Sequence, residues 1–354
     1  MKLSESSDSP AQSNHNQSPT QFHSRPWAAS LILTAGLGLL AFGIALSLSF
    51  GAASIRLEEV WNAVFHFKPE LQNHQIIWEI RLPRILGGVL IGVCFAVAGA
   101  IMQGMTRNPL ADSGLLGLNS GASLAMAICF ALFPGSSFLQ LMLYSFVGAA
   151  LAVVMVYGTS SISKSGLTPV RLVLAGAAVT ALLSALGDAI SLYFNVGQDL
   201  AFWYAGGLSG TKWVQLGIVL PWVVAAFIGA LMLSRSITLL SLGDEIALSL
   251  GQRTGVVKVV GMILVLILAG AAVSLVGSIG FVGLIIPHIT RKLVGVDYRW
   301  IIPCSAIMGA LLIVFADLAA RMINAPEETP VGVLIALIGV PFFLYLARKE
   351  RRAL

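Results

Sequence analysis

Two guanidiniums three residues apart, in Arg81-Leu82-Pro83-Arg84, open an apolar run that reaches Gln103. A guanidinium keeps its charge at any physiological pH and offers its donors in a planar fork, so such a pair suits carboxylates and other anions. It is ill suited to lipid, because an arginine at the bilayer centre costs about 2.5–3.5 kcal/mol on insertion scales. Arg81 and Arg84 therefore belong at an aqueous edge or in a cavity, presented to something outside the lipid. The run closes on Thr106-Arg107-Asn108-Pro109-Leu110-Ala111-Asp112-Ser113-Gly114-Leu115-Leu116-Gly117, a polar turn broken by proline and glycine. Further along, Asp317 and Arg321 lie one helical turn apart and share a face, as an ion pair at a helix end would. Asp188 is isolated in an apolar stretch, where it either faces a pathway or bonds a neighbouring helix.

Covalent chemistry finds little support in the residues. No Gly-x-x-x-x-Gly-Lys-Ser/Thr loop occurs, so no ATP site of the chain's own is expected. No His-Glu-x-x-His and no His/Cys group at ligand spacing occurs, so no metal is expected either. Cys94, Cys129 and Cys304 sit in apolar runs without paired spacing and read as small packing residues. His288, after Pro287, reads as a packing residue rather than a ligand.

Two glycine-bounded segments suit mechanical work instead. Residues 240–252 predict a short amphipathic helix: Gly243 leads in, Asp244 and Glu245 occupy the first turn, where the helix dipole favours acids, and Ala247 and Leu250 precede the stop at Gly251. Lying flat on a membrane surface, it is either a peg for a soluble partner or an ordinary interfacial connector. The segment from Ile279 to His288 is spaced by Gly280 and Gly283 and broken at Pro287. It reads as a broken helix whose freed backbone is satisfied by protein or water, with tight packing at the two glycines.

The elements that position these groups are membrane helices. Of 354 residues, 57% are hydrophobic and 10% charged, against about 25% charged in soluble domains. The chain is therefore an all-α, polytopic integral membrane protein. Ten spans of about 20 apolar residues are drawn at 27–50, 85–104, 114–133, 138–159, 171–194, 214–234, 257–276, 279–295, 301–323 and 329–347, within one domain covering 27–350. Residues 1–26, rich in Ser, Gln, Asn and Pro, are too polar to bury a core. The apolar run from Trp27 to Phe50 is longer than a signal-peptide core. A disordered cytoplasmic tail and an uncleaved first span are expected. With both termini inside, only Arg56, Lys68, Arg81, Arg84, Lys212 and Arg321 of the 21 basic residues fall outside, and the Arg348-Lys349-Arg351-Arg352 cluster falls inside. That asymmetry obeys the positive-inside rule, and it accounts for the net charge of +5 without a nucleic-acid partner.

Four stretches in order resemble the permease family of ATP-binding-cassette importers for iron–siderophores, haem and vitamin B12. They are Arg81-Leu82-Pro83-Arg84 with the Gln103 to Gly117 turn, Gly243 to Gly251, Gly277 to His288, and Ala316 through Pro330-Val331-Gly332 to Pro341. The likeness covers roughly residues 30–350 and implies the type II importer permease fold, with about ten transmembrane helices, in a bacterial inner or plasma membrane. It further implies a second permease subunit, identical or paralogous, and two cytoplasmic ATP-binding subunits docked through residues 240–252. An extracytoplasmic substrate-binding protein would present glutamates to Arg81, Arg84 and Arg321. Gln103, Asn108, Pro109, Asn119, Thr168, Pro169 and Val170 are the pathway and gate candidates. The chain itself would be a transport subunit in contact with lipid, with no cofactor and no chemistry beyond that of its partners.

One departure bears on cargo. The cobalamin branch carries small hydroxyl residues at the cytoplasmic gate, where this chain has Pro169 and Val170. The stiffer, less polar constriction favours ferric siderophores over cobalamin or haem. From the residues alone two other classes stay open. An ion-gradient-driven secondary transporter would want ionisable groups near mid-membrane, but Asp188 and Asp317 both map towards the outer half. A membrane enzyme would need clustered His, Asp or Glu at one face, and the sequence shows no such cluster.

Overall fold

The computed structural model describes residues 24–51, 55–161, 169–198, 200–201, 207–325 and 329–351, and among these every regular element is helical. Helix α1 (Pro26–Ser49) and the short α2 (Leu57–Phe65) precede α3 (Gln72–Thr106). Then follow α4 (Leu118–Leu132), α5 (Phe138–Ser161) and α6 (Pro169–Tyr193). The second half contains α7 (Trp213–Leu242), the six-residue α8 (Asp244–Ser249), α9 (Thr254–Val276), α10 (Val282–Val294), α11 (Tyr298–Ile323) and α12 (Val331–Arg351).

A helix occupies each of the ten apolar windows. Among the described residues seven of them, α1, α3, α5, α6, α7, α9 and α11, are long and apolar enough to cross a bilayer, by length and composition. By contrast α10, expected over 279–295, has 13 residues and reaches about 20 Å, well short of a hydrocarbon core about 30 Å thick. It begins inside the bundle. Its N-cap, Phe281, takes a left-handed φ of 69°, and Gly283 in its first turn lies on Gly99, well inside α3. Residues 277–281 thus run non-helically between α9 and α10, with Gly277 and Ile279 buried and Ser278 and Gly280 exposed. Of the two glycines, Gly283 is the packing residue; Gly280 has open space around it.

Helix α3 is the centre of the fold, packed on α7, α9, α10 and α11. Helices in lipid gain nothing from leaving water, so close van der Waals approach has to hold them together, and small residues permit it. A Cβ placed on Gly92 would lie 2.4 Å from the Gly309 carbonyl oxygen of α11, and one on Gly99 would lie 2.0 Å from that of Gly283. A second group, α4 with α5 and α6, leans on α9 and crosses closely at Gly121 and Gly148. At its start α3 is wound as a π-helix from Ile76 to Arg81. Pro83, two residues on, has no N–H to return to the helix.

Candidate functional site

The three arginines singled out from the sequence converge at one end of the bundle, but they are not the exposed groups expected there. Arg81, Arg84 and Arg321 are each only 6% exposed. Arg84 grips Asp317 with Nε at 3.0 Å and Nη2 at 2.8 Å from Oδ1, while Arg321 Nε lies 3.1 Å from Asp317 Oδ2. The expected i,i+4 pair is therefore present, with Arg84 added from a helix 233 residues away. The reason for burial is α1. Its last turn ends between these side chains, and the final carbonyls of a helix have no intrahelical partner and carry partial negative charge. Arg321 donates to the carbonyls of Ser47 (3.1 Å) and Phe50 (3.2 Å) and to the Ser47 hydroxyl. Arg81 donates to those of Leu48 and Ser49. The arginines cap α1, a role invisible in sequence because nothing local predicts where α1 ends in space.

At the opposite end, the predicted short helix is present but shorter than 240–252. Residues 240–242 belong to α7, and α8 covers only Asp244–Ser249. Both bounding glycines take positive φ, 135° at Gly243 and 79° at Gly251, where an L side chain is strained. Ala247 is buried, whereas Ile246, Leu248 and Leu250 are exposed, as is Glu245. Asp244 points back to the bundle: Lys258 Nζ at the start of α9 lies 3.0 Å away, and Arg107 at the end of α3 lies 3.5 Å away. These half-exposed pairs contribute little stability, but they tie α8 to two long helices.

The gate candidates separate. Gln103 is buried inside the bundle. Its amide donates to the carbonyls of Gly283 and Leu284 (3.2 and 3.1 Å) and accepts from Arg291 at 3.2 Å, which clamps the start of α10 on α3. Asn108 accepts from the Leu110 N–H at 2.9 Å and forms the turn that Pro109 enters. Pro169 opens α6, with Val170 next, and Thr168 lies outside the described residues, as do residues 1–23 of the expected tail. His288 is buried and meets the Phe342 ring edge-on at 5.9 Å, in keeping with packing. Asn119 lines a cleft between α4 and α6, together with Ser120, Ser123, Ser184, Asp188 and Ser191. Those serines were passed over in the sequence. The signal was there: residues 184, 188 and 191 recur at helical spacing.

The model of a family described as the FecCD transport family matches residues 39–349. The chain is 56% identical over 337 residues to the iron(3+)-hydroxamate import system permease protein FhuB of Bacillus subtilis (strain 168), covering 94% of this chain and 87% of that one. It is 41% identical over 315 residues to the ferric enterobactin transport system permease protein FepD of Escherichia coli (strain K12), covering 89% and 94%. It is 38% identical over 328 residues to the hemin transport system permease protein HmuU of Yersinia pestis, covering 89% and 93%. A solved structure of a metal-chelate type ABC transporter in an inward-facing conformation superposes with a TM-score of 0.77 at 29% identity, covering 90% of this chain and 99% of that one.

Proposed function

Because the chain belongs to the FecCD transport family, we propose that it is one permease of an ATP-driven importer and that its cargo is a ferric hydroxamate siderophore. It is a multi-pass membrane transport component and not an enzyme. The observation that carries the cargo class is the 56% identity to a ferric hydroxamate permease, against 41% and 38% to ferric enterobactin and haemin permeases. In this reading the Arg107 end faces the cytoplasm, with both termini there, and the Arg81 end faces outward. A loaded binding protein docks over Arg81, Arg84 and Arg321, whose charge steers carboxylates on its surface. On the inner side α8 and the residue that caps it offer Ile246, Leu248 and Leu250 to one of two ATP-binding subunits. Movement of α8 reaches α3 and α9 through Asp244. ATP shifts the path between its two openings only by the difference in its affinity for the two states. A second permease completes the path.

Radio-iron uptake in cells lacking this chain tests the cargo. Uptake from ferric hydroxamates is expected to vanish and to return on complementation, with uptake from ferric catecholates and citrate unchanged. Intact hydroxamate uptake with loss of haem or cobalamin uptake would refute the assignment. Coupling has its own test. Replacing Gly243–Gly251 with a flexible Gly/Ser linker is expected to leave ATP hydrolysis by the partner subunits running while uptake falls to background. Uptake that stays stoichiometric with ATP would remove α8 from the coupling route.

A further inference from the structure

The cleft between α4 and α6 is accounted for neither by docking nor by coupling. It encloses about 410 Å³ and is lined by Asn119, Ser120 and Ser123 on one side and Ser184, Asp188 and Ser191 on the other. Ser278, from the non-helical link between α9 and α10, closes one edge. The two walls touch where Ser184 Oγ lies 3.5 Å from Ser120 Oγ. Asn119 Oδ1 is buried with no hydrogen-bond partner among the described residues, an acceptor left for a guest or for water. Among the described residues the lining holds one carboxylate and neither Lys nor Arg.

Helix α6 is the least enclosed of the long helices, with only 17% of its apolar window buried, and Asp188 is exposed upon it. A carboxylate there would cost about 2.5–3.5 kcal/mol against hydrocarbon, so such residues face a bundle interior or a water-filled cavity. Water reaches this one if a second permease covers the face.

We propose that this cleft is a half-site for cargo in the importer's path, and that Asp188 makes it a charge filter. The inference rests on the importer reading above. A ferric ion held by three singly charged hydroxamates is neutral, and a free amine on the chelator makes the complex cationic. Three doubly charged catecholates leave the complex triply negative. The serine hydroxyls and Asn119 can donate to and accept from the chelate's carbonyl and amide groups, one weak bond at a time. Asp188 attracts a cationic complex and repels an anionic one. With low-dielectric walls on both sides, a single charge separates them by more than it would in bulk water.

The test uses the complete importer in proteoliposomes with one ferric trihydroxamate scaffold in three forms: neutral, bearing a free amine, and bearing a free carboxylate. Uptake of the amine form relative to the carboxylate form is read within each variant, so that lower assembly cancels. The ratio is expected to favour the amine form in the unaltered chain and to approach one in Asp188→Asn. In Asp188→Lys it should invert, a total change of roughly tenfold or more. An unchanged ratio across the three would overturn the filter. A second readout needs no transport: Asp188→Cys in the assembled complex should react with a charged, membrane-impermeant thiol reagent, against a background of three buried native cysteines. Reaction only with a lipid-soluble maleimide would place the residue in lipid and overturn the site while leaving the importer reading intact. An unaltered chain that imports none of the three forms would overturn that reading, and this one with it.

Discussion

Replacing Asp317 with alanine is expected to destabilise the fold by about 3–5 kcal/mol, the range for breaking one side of a buried ion pair. Asp317 is 2% exposed and lies between two guanidiniums that are themselves buried. Its loss leaves Arg84 and Arg321 without that counter-charge, far from bulk water. It also loosens the side chains that cap the last carbonyls of α1. The expected result is a sharp fall in the detergent-purified protein's apparent melting temperature and in its yield. Leucine at both Arg84 and Asp317 should be less damaging than alanine at Asp317 alone, since one buried guanidinium, Arg321, then loses this counter-charge instead of two. If the double replacement is the worse of the two, the pair is not what stabilises this end. The milder Asp317→Asn keeps the shape and removes the charge. Its affinity for the loaded binding protein separates the arginines' structural role from the docking role proposed for them, because a purely structural cluster would leave that affinity unchanged.

Replacing Gly99 with valine is expected to abolish assembly and uptake. The first side-chain carbon alone would stand 2.0 Å from the Gly283 carbonyl oxygen and 2.4 Å from the Gly283 Cα. Both are backbone atoms, so no rotamer change relieves the clash. Alanine there should already cost about 1–3 kcal/mol as an overpacked site. The control is Gly280→Ala, three residues from Gly283 and with nothing within 4 Å of its added carbon. It is expected to stay within about 0.5 kcal/mol of the parent, as open positions do. Membrane abundance and iron uptake of the two variants decide the matter. A Gly99→Val chain that accumulates and transports normally would show that α10 does not sit on α3 in the working protein.

Much of this could be read before any coordinates. Ten apolar windows, the short helix between glycines and the Asp317–Arg321 pair all follow from local rules: an apolar run long enough to satisfy its own backbone, a positive-φ residue at a helix end, a four-residue repeat on one face. The polar stripe at Ser184, Asp188 and Ser191 obeys the same repeat, and only its neighbours across the cleft on α4 were out of reach.

Sequence by itself thus determined the class of this protein, the order of its apolar segments, and the family to which its motifs belong, because each depends on residues close together in the chain. Tertiary structure alone decided what the marked residues do. Arg84 meets a carboxylate 233 positions away, Gln103 donates its amide to α10, and α10 starts deep in the bundle because two glycines let its backbone reach α3. A side chain's partner is set by which helices pass within a few ångströms of it. That depends on the packing of the whole bundle at once, which no local pattern encodes.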